Sequence, residues 1–318
     1  MAVFLGKAPG KIILFGEHAV VYGQPAIAIP VTRVKSTTRI YPDLTAPPGQ
    51  VRIQALDIGL EANLSDLSNQ NPLAAAIYHT LEELQVEHIP ALTLQITSTI
   101  PIAAGMGSGA AVTVSIIRAL SGFLGHPLPD PVVAALSYQV EKIHHGNPSG
   151  IDNNVVTYEK PVFFRREHPI QFLDVEEATH WLIADCGEKT PTRETVSDVG
   201  KTYAAQPVLY EEIFNNIGAV TQKAREALIK GDLAVLGQLL NENQALLQSL
   251  NVSSPALENL IQVARNAGAA GAKLSGGGRG GNIIALAAPS NLEDVKNALV
   301  HAGAVNVIST QLSKDVTQ

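Results

Sequence analysis

Residues able to bind an anion or carry charge are gathered in a few short stretches of this chain. The densest is Pro101-Ile102-Ala103-Ala104-Gly105-Met106-Gly107-Ser108-Gly109-Ala110-Ala111, which continues as VTVSIIRAL to Leu120. Gly105, Gly107 and Gly109 can turn their amide hydrogens inward with no Cβ in the way. Apolar side chains then recur at helical spacing, at Val112, Ile116, Leu120 and Phe123. A glycine loop opening a helix, where free N–H groups meet the positive end of the dipole, suits a phosphate. Two common cradles fit poorly. A P-loop needs G-x-x-x-x-G-K-[ST], whereas the run from Gly6 to Lys11 is one residue short between its glycines and is followed by Ile12. Gly105 to Ala110 does satisfy G-x-G-x-x-[GA]. The acidic residue expected ~20 positions further on would be Asp130, which sits between Pro129 and Pro131 in a turn instead of ending a second strand.

Other reactive side chains stand in settings with two readings each. Glu17 and His18 follow the apolar run that begins at Lys11, so they are either a polar turn between strands or a buried pair in need of partners. Glu141 lies just off the apolar stripe of a helix (Val132, Val133, Leu136, Val140, Ile143), where a glutamate is ordinarily solvated. Asp152 falls in the turn-rich segment HHGNPSGIDN, where an aspartate by default caps backbone. A second glycine cluster, Gly276-Gly277-Gly278-Arg279-Gly280-Gly281, sits between two strand-like runs as a hairpin loop would.

The elements that must position these residues follow from pattern and punctuation. Strands are expected at Val3–Leu5 and Lys11–Phe15 with a turn at Pro9-Gly10, then at Ala26–Pro30, Ser36–Tyr41, Val51–Ala55 and Leu92–Thr97, with a helix over Pro72–Leu84. Asp130-Pro131 opens the helix that carries Glu141, and Val155–Leu173 reads as two strands. Beyond a change of pattern near Asp174 come a strand at His180–Cys186 and helices over Val208–Lys230, Leu233–Leu250 and Pro255–Asn266, the last capped by Ser254. Strands at Ala272–Leu274, Ile283–Ala287 and Val305–Ser309 follow, with Ser290 and Glu293 as a capping box for a helix before the last. A length of 318 residues with 46% hydrophobic content suits two globular domains, expected as 1–175 and 176–318. A net charge of −7 with no basic run argues against nucleic-acid and anionic-membrane partners. Cys186, the one cysteine, excludes an internal disulfide or a thiolate-rich zinc site and is expected as a small buried residue. With no leader-like opening and no apolar run near the ~20 residues that span a bilayer, the expected compartment is the cytoplasm.

Three motifs in order, APGKIILFGEHAVVYG, the glycine loop at Pro101 and KLSGGGRGGNIIAL, together with HGNPSGIDN, resemble the GHMP kinase superfamily over nearly the whole chain. The wording of GEHAVVYG and HGNPSGIDN points to those members that phosphorylate mevalonate. The resemblance implies an α+β fold: an N-terminal, ribosomal-protein-like ATP-binding domain and a C-terminal ferredoxin-like α+β domain, with the active site in the cleft between them. It implies ATP on the loop from Pro101 to Ala111, with Lys11 and Asp152 facing the substrate hydroxyl as catalytic pair and Glu141 and Ser108 holding Mg²⁺. Substrate would be held by Lys11, Glu17, His18, Gly150, Asp152, Gly277 and Gly278. The expected partners are mevalonate and ATP, in a homodimer. The alternatives are a sibling small-molecule kinase, such as one acting on phosphomevalonate, and a catalytically silent ligand-binding paralogue.

This chain departs from the superfamily pattern twice. Paired serines are usual in the first glycine loop, but here Ser108 is followed by Gly109; Thr113 and Ser115 are expected to point away from the phosphates. Arg279 interrupts a run that is usually all glycine, either as a cation near the phosphates or as a solvated side chain.

Overall fold

In a computed structural model that describes residues 3–101, 104–145 and 148–314, the chain divides into two compact units. The first comprises Met1–Lys11, Val34–Ile102 and Met106–Glu159; the second comprises Ile12–Arg33, Ala103–Gly105 and Lys160–Gln318. Two long strands, β1 (Phe4–Phe15) and β2 (Ala26–Pro42), carry the chain from one unit to the other.

β1 runs through Pro9-Gly10 without the expected turn. Gly10 is there for clearance: a Cβ would lie 3.3 Å from the Met106 carbonyl and 3.2 Å from Val34 Cγ2. β2 likewise joins two expected strands into one of 17 residues. In the first unit its C-terminal half pairs antiparallel with β5 (Leu92–Ser98), while β3 (Val51–Ala55) runs parallel to β5 and antiparallel to β4 (Leu60–Asn63). Helices α1 (Pro72–Glu83), α2 (Ser108–Phe123) and α3 (Asp130–His145) pack together, burying Ile77, Ile116, Leu120 and Val140 with Ile40, Ile53 and Leu94 of the sheet. Asn71 caps α1 by accepting from the amides of Leu73 and Ala74.

α4 (Ile151–Tyr158) corrects the expectation of a turn leading into a strand. Val155, Val156 and Thr157 are β-branched and favour strands in isolation. All three are buried, and the helix packs against α2 and α3, so tertiary packing outweighs local propensity.

In the second unit the N-terminal half of β2 pairs with β6 (Val162–Phe164), which pairs with β7 (Gln171–Phe172). A separate four-stranded antiparallel sheet has the order β11-β8-β10-β9, from β8 (Thr179–Asp185), β9 (Gly271–Ser275), β10 (Asn282–Ala287) and β11 (Asn306–Leu312). Helices α5 (Thr192–Ala205), α6 (Pro207–Lys230), α7 (Leu233–Ser249) and α8 (Pro255–Asn266) lie between β8 and β9, and α9 (Leu292–His301) lies between β10 and β11. That order and succession are the ferredoxin-like arrangement with extra helices in the first crossover. α5 escapes pattern reading because only Thr195 and Val199 of its residues are buried. Ser254 caps α8 as expected, whereas α9 starts after Asn291 with no side-chain cap, so the capping box is absent. Cys186, expected to be buried, is only partly covered.

Candidate active site

The first unit brings Lys11, Gly107, Glu141 and Asp152 to one place. Lys11 is buried on β1, and its Nζ lies 3.0 Å from Asp152 Oδ1; their side chains are 7% and 32% exposed. Asp152 sits in the first turn of α4, after Gly150. The helix is fixed at both ends: Asn153 Nδ2 donates to the Ala134 carbonyl of α3 at 3.0 Å, and Arg118 of α2 pairs with Glu159 at 3.1 Å just past the last turn. The Lys11 amide donates to the Met106 carbonyl at 2.9 Å, which pins the glycine loop to β1.

Gly107, the residue before α2, has φ +68°, and a Cβ there would lie 2.8 Å from Lys11 Cγ and 3.4 Å from Asp152 Oδ2. Only glycine allows the start of α2 to approach the ion pair so closely. The amides of Ser108, Gly109 and Ala110 are first-turn groups with no partner inside the helix, so the donors of an anion site and the lysine–aspartate pair stand side by side. Ser108 is half-buried, Gly105 and Gly109 are exposed, and Ala104, Met106, Ala110 and Ala111 are buried supports. Pro101 is half-buried; Ile102 and Ala103 lie outside the described residues. Ser115 is occupied elsewhere, within 2.7 Å of Thr38 Oγ1 and 3.1 Å of Ser36 Oγ, as expected of a hydroxyl facing away from the loop.

Glu141 of α3 is 9% exposed, not solvated. Burial pushes its carboxyl up to about 8, the charge of Asp152 adds to the effect, and Lys11 opposes it. A buried carboxylate beside a second one lacks enough positive charge to stay ionised by itself. That is a fitting oxygen donor for a hard cation, and Mg²⁺ is commonly held by only one or two carboxylates with phosphate oxygens and water.

The second unit holds Glu17, His18, Gly277 and Gly278. The backbone after β1 bends at Gly16, and His18 takes φ +61°, an unusual conformation for a residue with a side chain. His18 Nε2 lies 3.0 Å from the Gly277 carbonyl; a carbonyl can only accept, so Nε2 carries the proton and donates. Burial, opposed by the bond to Gly277 and helped by the charges of Arg279 and Lys273, lowers the His18 pKa to about 4, so the ring is neutral near pH 7. Its Nδ1 is then a buried lone pair, and no partner for it exists among the described residues. Glu17 pairs with Lys273 of β9, with both side chains out of solvent.

Gly277 and Gly278 lie in the hairpin loop between β9 and β10. Gly278 has φ +75°, and a Cβ there would lie 2.0 Å from the Val252 carbonyl. Arg279 is partly covered and tied down: its guanidinium donates to Asp198 Oδ2 of α5 at 2.7 Å and to the Asn251 carbonyl at 3.2 Å. Asn282, at the start of β10, donates to the Ala104 carbonyl. Lys273, Asp198 and Asn282 carry no role in the sequence reading. Lys273 did leave a signal, as a lysine inside the apolar run GAKLS, which demands a buried anion.

Two family models match the chain, GHMP kinases N terminal domain over residues 71–160 and GHMP kinases C terminal over residues 224–305. A curated mevalonate kinase of Thermococcus gammatolerans is 35% identical to the chain over 336 aligned positions, which span 98% of this chain and 96% of that one. The chain belongs to the GHMP kinase family. Among other relatives, the mevalonate kinase of Pyrococcus horikoshii is 34% identical over 98% of this chain and 96% of its own. Among solved GHMP kinase structures, that of the Methanococcus jannaschii mevalonate kinase has a TM-score of 0.86 at 28% identity, covering 98% of this chain and 99% of that one. The L. major mevalonate kinase in complex with R-mevalonate has a TM-score of 0.81 at 31% identity, covering 99% and 97%.

Proposed function

We propose that this GHMP kinase transfers the γ-phosphoryl group of ATP to the primary hydroxyl of mevalonate, giving 5-phosphomevalonate and ADP. The observation that carries this reading is the Lys11–Asp152 pair lying against Gly107, so that a proton acceptor and a phosphate-binding helix start serve the same reacting atoms. Asp152 takes the hydroxyl proton as the new oxygen–phosphorus bond forms and the bond to the β-phosphate oxygen breaks, with ADP leaving. Lys11, 3.0 Å from Asp152, holds that carboxylate in place and stabilises the negative charge growing on the attacking oxygen. The first-turn amides of α2 orient the phosphates, and the loop from Pro101 to Ala111 holds the nucleotide. Glu141 would hold Mg²⁺, with Ser108 supplying the loop hydroxyl; when bound, the ion would neutralise phosphate charge. Gly150 admits the acceptor alcohol beside Asp152.

On the substrate side, the neutral His18 ring accepts through Nδ1, so it suits a hydroxyl of mevalonate and not its carboxylate. Gly277 and Gly278 supply close backbone. The two family models fall on either side of residue 175, which supports 1–175 as the ATP-binding domain and 176–318 as the C-terminal domain. The proposal extends to a homodimer in the cytoplasm; one cysteine in 318 residues suits a reducing compartment.

The test is ADP release with Mg-ATP and, in turn, mevalonate, phosphomevalonate, homoserine and galactose. Turnover with mevalonate above the other three is expected. Preference for phosphomevalonate would make the chain a sibling kinase, and turnover with none would make it a silent ligand-binding paralogue.

A further inference from the structure

The fully buried ion pair between Lys273 and Glu17 takes no part in the phosphoryl transfer derived above. Lys273 is the middle residue of β9, a strand with all five residues buried, and it faces Ile284 of β10. Its side chain is 0% exposed and that of Glu17 1%. Besides Glu17, the ammonium donates to the Leu274 carbonyl at 2.6 Å. Burial lowers the Lys273 pKa and Glu17 pulls it back up, so the lysine depends on its partner for its charge. Two charges in a dry interior contribute little stability over an apolar pair of the same size, so what such a pair supplies is a fixed geometry.

What it fixes is the next residue. His18 follows Glu17, and the two are gripped by one stretch of chain: Glu17 by Lys273, His18 by the Gly277 carbonyl. Between the two attachments His18 is held at φ +61°, a backbone state that persists only where its surroundings over-determine it. Its Nδ1 is left buried without a partner among the described residues, the condition of a group aimed at a ligand.

We propose that Lys273 is a positioning residue: through its ion pair with Glu17 it sets the turn at Glu17-His18 and thereby aims the His18 ring at the substrate. Glu17 then acts through this pair and not by touching substrate. The consequence for mevalonate binding rests on the kinase reading above, whereas the clamp itself does not.

Kinetics of three proteins, each with and without His18→Gln, test it: wild type, Lys273→Met, and the double variant Glu17→Gln with Lys273→Met. Lys273→Met should raise KM for mevalonate by about ten-fold or more while KM for ATP and kcat stay within about three-fold. The double variant leaves no lone buried charge, so it tests the idea even if the single one fails to fold, and it should show the same rise. In the His18→Gln background the double change should add less than about two-fold, since the route through His18 is already lost. A full multiplicative effect in that background, equal losses for both substrates, or an unchanged KM in the double variant would overturn the proposal. If wild type turns over no mevalonate, the kinase reading fails and the clamp is read without substrate. The His18 Nε2 proton should then exchange slowly with water in wild type and rapidly in the double variant; slow exchange in both would refute it.

Discussion

At the scale of single residues, Asp152 and Gly107 make the sharpest demands. Asp152→Asn keeps the shape of the site and removes the proton acceptor, so kcat should fall at least ~100-fold while ATP binding by calorimetry is retained. Near-wild-type kcat in a folded variant would return Asp152 to the role of helix-start cap. Gly107→Ala places a Cβ 2.8 Å from Lys11 Cγ at φ +68°, so kcat/KM should drop by ~100-fold or more as the ion pair is displaced. Unchanged kcat/KM would mean that the loop does not need to approach Lys11. Ser108→Ala should cut kcat/KM for Mg-ATP by roughly ten-fold, and Gly109→Ser should not raise activity. If the second change accelerates turnover several-fold and the first is silent, the hydroxyl that serves the ion belongs at position 109.

These residues were legible from sequence to different degrees, for physical reasons. Lys11, Asp152 and the glycine loop sit in dense local patterns where type and spacing announce chemistry. Glu141 looked solvated because α4, which packs against its helix, is an element that sequence presents as a turn and a strand. Lys273 lay in plain view in an apolar run, but its partner is 256 positions away, a separation that no local pattern bridges.

At the scale of elements, the hairpin between β9 and β10 shows the same division. Its strands and glycines were readable, and its anchoring was not: Arg279 reaches Asp198 on α5, a helix too polar to show in the pattern. The joined strands β1 and β2 also differ from the sequence reading; in β1, Gly10 serves a close approach to Met106 and Val34 instead of a reversal. The loop's backbone makes its own prediction. Gly278→Ala must either leave φ +75° or push back the Val252 carbonyl, so the denaturant midpoint should fall by an amount worth about 1–3 kcal/mol. An unaltered midpoint would show that the loop relaxes at no cost.

At the scale of the whole molecule, His18 links folding to pH. Its folded pKa of about 4 lies below its model-peptide value of 6.5, so between those limits the unfolded chain binds the extra proton. Stability from this group is therefore complete above pH 6.5 and is lost as pH falls towards 4, by up to about 3 kcal/mol. Urea midpoints from pH 7 to 4 should fall more steeply for wild type than for His18→Gln; parallel curves would contradict the burial of a neutral ring.

The central claim, that a primary alcohol of mevalonate receives the γ-phosphoryl group, is tested most directly by ³¹P NMR of the reaction with Mg-ATP. A phosphate ester at C5 is split by its two methylene protons, so a new phosphomonoester triplet should grow as the γ-phosphate of ATP disappears and ADP forms. A singlet, as from a tertiary ester, or loss of the γ-phosphate to inorganic phosphate with no new ester, would contradict the account.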